Sequence, residues 1–298
     1  SDGNPVDKVV ISAPAKVNLF LQVLRRREDS YHDIFSQFQA VSLFDRLVIR
    51  KTDNSNLQIK ASGPHSAVTP TDDSNLVAKA WFLMKERYSL DGNLSIELEK
   101  NIPVAAGLAG GSSDAASVIE AVDRIYTLGL NRSELAGAGL EIGSDLPFFF
   151  GAGQAIISGR GEIVEDIEAV TDYWLVLVTP RLQISTARAY ADLKMDLTNS
   201  KDPFSLPRCR SLDELVEMIG QFGNDFEQAQ FLAYPELGEI RDWLLECGAL
   251  MSRMSGSGPT MFGLFDSPQD GIEDRLSSRG DWFISTVRPI TLPIDFDS

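Results

Sequence analysis

Residues 94–126 carry three signals in immediate succession, and few folds admit all three. In 94–99 (LSIELE), Leu94, Ile96 and Leu98 alternate with Ser95, Glu97 and Glu99, a period of two that predicts a half-buried strand. Next comes 103–117, PVAAGLAGGSSDAAS, a glycine-rich loop. From Asp114 onward, Ala116, Ile119, Ala121 and Val122 recur at helical spacing, and Ile125 and Tyr126 extend the stripe. A strand therefore runs into a loop that opens a helix over 114–128. The first turn of a helix leaves free N–H groups and a positive dipole end, which suits an anion. Gly107, Gly110 and Gly111 have no Cβ, so the backbone there can lie against a ligand. Ser112 and Ser113 add hydroxyls at the mouth of the helix. The stretch reads as a phosphate cradle, with plain turn chemistry as the alternative on composition alone.

Two other cradles are excluded by spacing. A P-loop needs Gly-Lys-Ser/Thr, and no lysine follows these glycines. A dinucleotide fingerprint needs Gly-x-Gly-x-x-Gly, which Gly107-Leu108-Ala109-Gly110 does not supply. A nicotinamide dehydrogenase is disfavoured on that ground.

Composition narrows the partners. The 298 residues, 43% apolar, suffice for two ordinary domains or one large one. With 27 basic against 43 acidic residues the net charge is −16, which argues against a nucleic-acid or anionic-membrane partner. A small phosphorylated ligand remains admissible, because backbone N–H groups and a few local cations can hold it. Two cysteines, Cys209 and Cys247, are too few for a disulfide framework and fit a reducing compartment. With only two histidines, a zinc site is not expected. No apolar run approaches the ~18 residues of a membrane span. The opening SDGNPVDK is polar and lacks an initiator Met, which reads as a trimmed or processed end rather than a signal peptide.

In order along the chain, 9–13 predicts a strand that Pro14 ends, and 19–24 a second one with Lys16 and Asn18 at its entrance. Residues 38–43 and 46–50 read as two strands with Asp45 at the turn, and 54–70 as a strand flanked by loops. The segment 75–88 is an amphipathic helix capped by Asp73 or Ser74, and a short helix follows around 133–138. Asp145 precedes Leu146, Pro147 and three phenylalanines, where a carboxylate is partly desolvated; an N-cap ahead of Pro147 is the bland alternative. The run 173–179 reads as a buried strand, 186–193 as a small helix and 194–210 as an irregular loop. Ser211 with Glu214 three residues on has capping-box spacing for a helix over 211–222; a further helix over 235–247 stops at Gly248. The loop Met254-Ser255-Gly256-Ser257-Gly258-Pro259-Thr260 leads into an apolar strand over 261–265. Strand-rich beginnings followed by helices in both halves predict an α+β fold.

PVAAGLAGGSSDAA resembles the central motif of the GHMP kinases, a loop that wraps the ATP phosphates in that family. Pro14-Ala15-Lys16-Val17-Asn18-Leu19 falls where the family carries its N-terminal lysine motif, and the 254–260 loop resembles its third motif. The three lie in the family's order and span nearly the whole chain.

The resemblance implies a two-domain GHMP kinase fold, divided here as 1–155 (nucleotide side) and 156–298, with the active site in the cleft between them. It implies ATP binding by Asn75 and Leu76 at a helix start, by Lys100, and by Pro103, Val104, Ala105, Ala106, Gly107, Leu108, Ala109, Gly110, Gly111, Ser112, Ser113 and Asp114. Ile142-Gly143-Ser144-Asp145-Leu146-Pro147 is similar to the family's aspartate motif, which makes Asp145 the general base and substrate contact, with Lys16 as its catalytic companion. Tyr31-His32 after the second strand, with Asn18, Thr186 and Tyr190, is similar to members that phosphorylate a cytidine-diphosphate sugar alcohol; Ser30 stands where those members usually have Gly. Asn224-Asp225-Phe226-Glu227 resembles a further segment of the family. The resemblance thus implies ATP-dependent phosphorylation of that alcohol, with Mg²⁺ accompanying ATP and held mainly by phosphates and water, or with help from Ser113. A monomer or homodimer in the cytoplasm (or a plastid stroma, after loss of a transit peptide) is expected. The rivals are another GHMP kinase of mevalonate or homoserine type, and a catalytically idle nucleotide-binding regulator on the same fold. Both Lys16 and Asp145 being present speaks against the regulator, since a binding module needs no base.

Overall fold

The computed structural model describes residues 7–168, 170–193 and 209–293. Most of the loop expected over 194–210 lies outside the described residues. Among them the strands are β1 Lys8–Arg26, β2 His32–Thr52, β3 Gln58–Ser62, β4 Asn93–Glu99, β5 Gln154–Ser158, β6 Ile163–Asp166, β7 Trp174–Thr179, β8 Met251–Met254, β9 Met261–Phe265 and β10 Phe283–Val287. The α-helices are α1 Leu76–Arg87, α2 Gly110–Tyr126, α3 Arg132–Ile142, α4 Thr186–Asp192, α5 Leu212–Phe222, α6 Glu227–Ala233, α7 Pro235–Glu246 and α8 Ile272–Ser277. Mixed strands and helices without regular alternation bear out the α+β class.

The chain forms two compact units that interleave in sequence. The described residues of one lie within 1–15, 43–104 and 109–151, and those of the other within 16–42, 105–108 and 152–298. In the first unit the later part of β2 pairs antiparallel with β4, from Arg46 opposite Glu99 to Thr52 opposite Asn93, and β3 adds in parallel to β4. The amphipathic stripes of α1 and α2 bury Trp81, Met84, Ile119 and Val122 with Leu47, Ile49 and Ile96 of the strands. In the second unit the early part of β2 pairs with β5 and β5 with β6. A separate antiparallel sheet runs β10-β7-β9-β8. Helix α7 packs on that sheet where Gly263 of β9 leaves room, since a Cβ there would lie 3.2 Å from Leu244.

Several boundaries differ from the sequence expectation. Pro14 does not end a strand: β1 continues through it, pairing among the described strands with β2, and an edge strand tolerates the missing N–H. Asp45 is not at a turn but inside an unbroken β2, wholly buried and charge-paired. The cap of α1 is Asn75, whose side chain accepts the Val77 N–H, rather than Asp73 or Ser74. Helix α2 begins at Gly110, so Gly110–Ser113 form its first turn instead of the loop before it. Helix α3 is longer than expected and carries a capping box between Asn131 and Glu134. The 235–247 helix, the Ser211 cap and the 261–265 strand stand as read.

Candidate active site

The loop into α2 owes its shape to alternating backbone conformation. Ala105, Gly107 and Ala109 have φ of +53°, +81° and +53°, so every second residue is left-handed. Such alternation turns successive N–H groups into an anion-binding concavity. Two of the three are alanines, which hold this region at a cost of about 1–2 kcal/mol each; strain of that kind concentrates at ligand-binding sites. Glycine is obligatory at 107, where a Cβ would lie 2.1 Å from the Ser255 carbonyl oxygen. Ala109 is the N-cap of α2 and offers no side-chain cap, so the helix start relies on another partner for its first N–H groups. Pro103, Ala106, Leu108 and Gly110 are buried, whereas Val104, Ala105 and Gly111 are exposed.

Within the first unit, the start of α1 adjoins the start of α2: a Cβ on Gly111 would lie 3.6 Å from Leu76. The Asn75 amide accepts from Val77 N at 3.0 Å and donates to Pro70 O at 2.7 Å, so its side chain is engaged in capping. Lys100 is buried between two carboxylates, donating to Asp45 and, at 2.7 Å, to Asp114. Asp45 also accepts the N–H groups of Asn101 (2.6 Å) and Ile102 (2.8 Å). Burial alone would lower the Lys100 pKa, but the two carboxylates outweigh it and hold the ammonium charged. One cation serves two buried acids, so burial pushes the Asp114 carboxyl up to about 8 despite Lys100. Ser113 Oγ and one Asp114 oxygen are buried without a hydrogen-bond partner among the described residues. Ser113 thus presents an unused oxygen in the first turn of α2.

Asp145 stands at the N-cap of a 3₁₀ turn, Leu146–Phe150, yet its side chain makes no capping bond. Leu146, Pro147 and Phe148 beneath it are buried, and Gly139 lets Leu146 and Phe150 pack onto α3. The half-buried carboxylate is therefore carried on an apolar base without serving the backbone around it.

The second unit holds Lys16, 3% exposed, two residues before Asn18 on the same face of β1. Its ammonium donates to Asn18 Oδ1 at 2.6 Å and to the Gly107 carbonyl at 3.1 Å, and lies 4.5 Å from the Phe38 ring centroid. Asn18 in turn donates from Nδ2 to Ser36 Oγ and from its backbone to Ser255 Oγ. Thr186 Oγ1 is 3.0 Å from Ser257 Oγ, which ties the start of α4 to the 255–258 loop.

An aromatic group lies in the same unit. The His32 ring stacks on Tyr190 with centroids 4.6 Å apart and planes at 16°, and Tyr190 meets Phe226 edge-on. Burial lowers the His32 pKa, with Arg26 adding to the effect, so the imidazole is neutral at pH 7. Tyr31 is 54% exposed, its ring covered by the Arg160 guanidinium at 5.0 Å. Ser30, at φ +70°, holds the positive backbone angle that favours Gly, so the turn keeps its form without it.

Ser36, Ser255, Ser257 and Arg160 join these residues without having been singled out from sequence. Ser255 and Ser257 were visible only as parts of the third loop, and nothing local marks Ser36 or Arg160.

Residues 75–153 match the N-terminal domain of the GHMP kinases and residues 205–281 match their C-terminal domain. The chain belongs to the GHMP kinase family. It is 39% identical over 282 residues to the 4-diphosphocytidyl-2-C-methyl-D-erythritol kinase of Syntrophotalea carbinolica, covering 93% of this chain and 98% of that one. A crystal structure of 4-(cytidine 5'-diphospho)-2C-methyl-D-erythritol kinase is similar over 94% of this chain and 99% of its own, with a TM-score of 0.75 and 31% identity. A homoserine kinase from Cytophaga hutchinsonii shares the fold, at a TM-score of 0.72 and 16% identity over 98% and 97% of the two chains.

Proposed function

We propose that this chain phosphorylates the 2-hydroxyl of 4-diphosphocytidyl-2-C-methyl-D-erythritol with ATP, a step of non-mevalonate isoprenoid precursor synthesis. The observation that carries this reading is a full-length relative at 39% identity whose name states that substrate. The stacked His32–Tyr190 pair, with Tyr31 next to His32 in sequence, supports it by offering flat surfaces for a pyrimidine. The likeness to the homoserine kinase, at 16% identity, is one of fold alone.

Phosphoryl transfer asks mainly for positioning and charge compensation. In this reading the left-handed turns at 105–109 and the uncapped start of α2 take the ATP phosphates, with Pro103–Asp114 as the cradle and Asn75 and Leu76 on the adenine side. Asn75 and Lys100 act there through backbone and packing, because their polar side-chain atoms are already engaged. Asp145 accepts the proton of the attacking hydroxyl, whose own pKa is far above neutrality. Lys16, held by Asn18 and Gly107, counters the negative charge on the transferred group. Tyr31, His32, Thr186 and Tyr190 receive the cytidine end.

Mg²⁺ is proposed to come with ATP and to neutralise phosphate charge. Among the described residues no cluster of three or more His, Cys, Asp or Glu could hold a metal, while the unused Ser113 Oγ fits a single oxygen ligand. The sequence division at 155/156 is retained as a proposal, supported by the two family matches ending at 153 and beginning at 205. A cytoplasmic or stromal location is part of the same reading. No helix among the described residues is long and apolar enough to cross a membrane.

Phosphorus NMR of a reaction with ATP and the cytidine alcohol should show a new phosphomonoester, and its absence would defeat the proposal. Asp145→Asn and Lys16→Ala should each lower kcat by about a hundredfold or more with ATP still bound; near wild-type turnover in either removes that residue's role.

A further inference from the structure

We propose that Asn224 is a positioning residue whose amide sets the 255–258 loop and, through Ser255, the Gly107 carbonyl and Lys16. Asn224 is buried, and its Nδ2 donates to the carbonyls of Met254 at 2.7 Å and Gly256 at 2.9 Å. Its Oδ1 accepts the Phe226 N–H at 2.9 Å. Two carbonyls demand two donors, so the amide has one orientation available. Its neighbours fasten the same place. Glu227 accepts the Met254 N–H at 2.8 Å, and Asp225 accepts the Val23 N–H at 2.8 Å. The backbone joins β1 on both sides, Leu21 N to Gly223 O and Asp225 N to Leu21 O, each at 2.9 Å. Residues 223–227 thus link the half of β1 beyond Asn18 to the 255–258 loop.

Ser255 carries the link onward. Its Oγ accepts the Asn18 N–H at 3.1 Å and donates to the Gly107 carbonyl at 2.9 Å. That carbonyl is the one that accepts from the Lys16 ammonium. Contact is close enough to transmit displacement: a Cβ on Gly256 would lie 3.2 Å from Gly107 Cα. A shift of the 255–258 loop therefore moves the acceptor that orients Lys16. Asn224 touches neither Lys16 nor the 105–108 turn in this network and acts through Ser255.

The inference rests on the roles proposed for Lys16 and the cradle, and two readouts separate it from them. The first is turnover of the cytidine alcohol. Asn224→Ala and Ser255→Ala are each expected to lower kcat about tenfold or more, with KM for the alcohol changed less than about threefold. The double variant should fall no further than the lower single one, because both act on one loop. The second is native-state amide exchange, which needs no activity. Thr260 N, bonded to Ala106 O, and Lys16 N, bonded to Leu108 O, should exchange faster in both variants while β7 and β10 keep wild-type protection. An active wild type with variants at its kcat, or losses that simply multiply, overturns the inference. So does unchanged exchange at Thr260 and Lys16. Should Asn224→Ala fail to fold, Ser255→Ala decides alone on both readouts. A wild type inactive on the alcohol, with exchange altered as stated, defeats the functional reading and upholds the coupling.

Discussion

The two units brace their glycines differently: the first sets one lysine between two buried acids, and the second has one lysine donating to neutral groups. At Gly110 in the first unit the surroundings are Lys100, Asp45 and Asp114, all buried and mutually paired. At Gly107 and Gly256 in the second, they are the Ser255 hydroxyl, the Asn224 amide, backbone carbonyls and the Lys16 ammonium. The neighbours also differ in how far they can yield. A Cβ on Gly110 would meet side-chain atoms, Ile102 Cγ2 at 2.9 Å and Lys100 Nζ at 3.0 Å, whereas one on Gly107 would meet a backbone oxygen at 2.1 Å. An ionic brace is strong only while complete, since removing one partner strands a buried charge. The hydroxyl and amide links of the second unit lose less per group but fix direction atom by atom.

The largest substitution effect should come from Lys100→Met, which strands the buried Asp45 carboxylate, takes a donor from Asp114 and should cost about 3–5 kcal/mol in urea unfolding at pH 7. Adding Asp45→Asn and Asp114→Asn should recover much of that loss. A near-neutral Lys100→Met would break the contrast. Beside it stands a pH effect with a defined sign. The Asp114 carboxyl is raised from 3.8 to about 8 in the folded state, so the folded chain keeps a proton that the unfolded chain releases. Its stabilising contribution is full below about pH 4 and is lost as pH rises through about 8. Asp114→Asn should therefore flatten the stability profile between those limits; an unchanged slope contradicts the assignment. Smaller again, Asn224→Ala leaves two carbonyls without donors and should cost about 1–3 kcal/mol. As a floor, Asn75→Ala removes one helix cap and should cost about 1 kcal/mol, read from the thermal midpoint.

What could be read from sequence divides between local and distant chemistry. The Ser211 cap, the 261–265 strand and the three family motifs are contiguous, so their residues announce themselves together. Asp45 resembled a turn residue because nothing near it in sequence shows the lysine 55 positions away that neutralises it. Gly110 and Gly111 resembled loop because glycine is a poor helix former, yet packing against Ile102 and Lys100 leaves no room for a Cβ at Gly110. Pro14 resembled a stop because a strand's position at a sheet edge is invisible in the chain. In the candidate site, Lys16, Asp145 and the cradle were legible as motifs. The bonds of Ser255 to Asn18 and Gly107 span 237 and 148 positions and were not.

The most direct measurement is ADP release with ATP and Mg²⁺ on three alcohols in parallel: 4-diphosphocytidyl-2-C-methyl-D-erythritol, mevalonate and homoserine. Turnover confined to the cytidine alcohol is the predicted result. Turnover on mevalonate or homoserine instead, or silence on all three while ATP binds, would contradict the account.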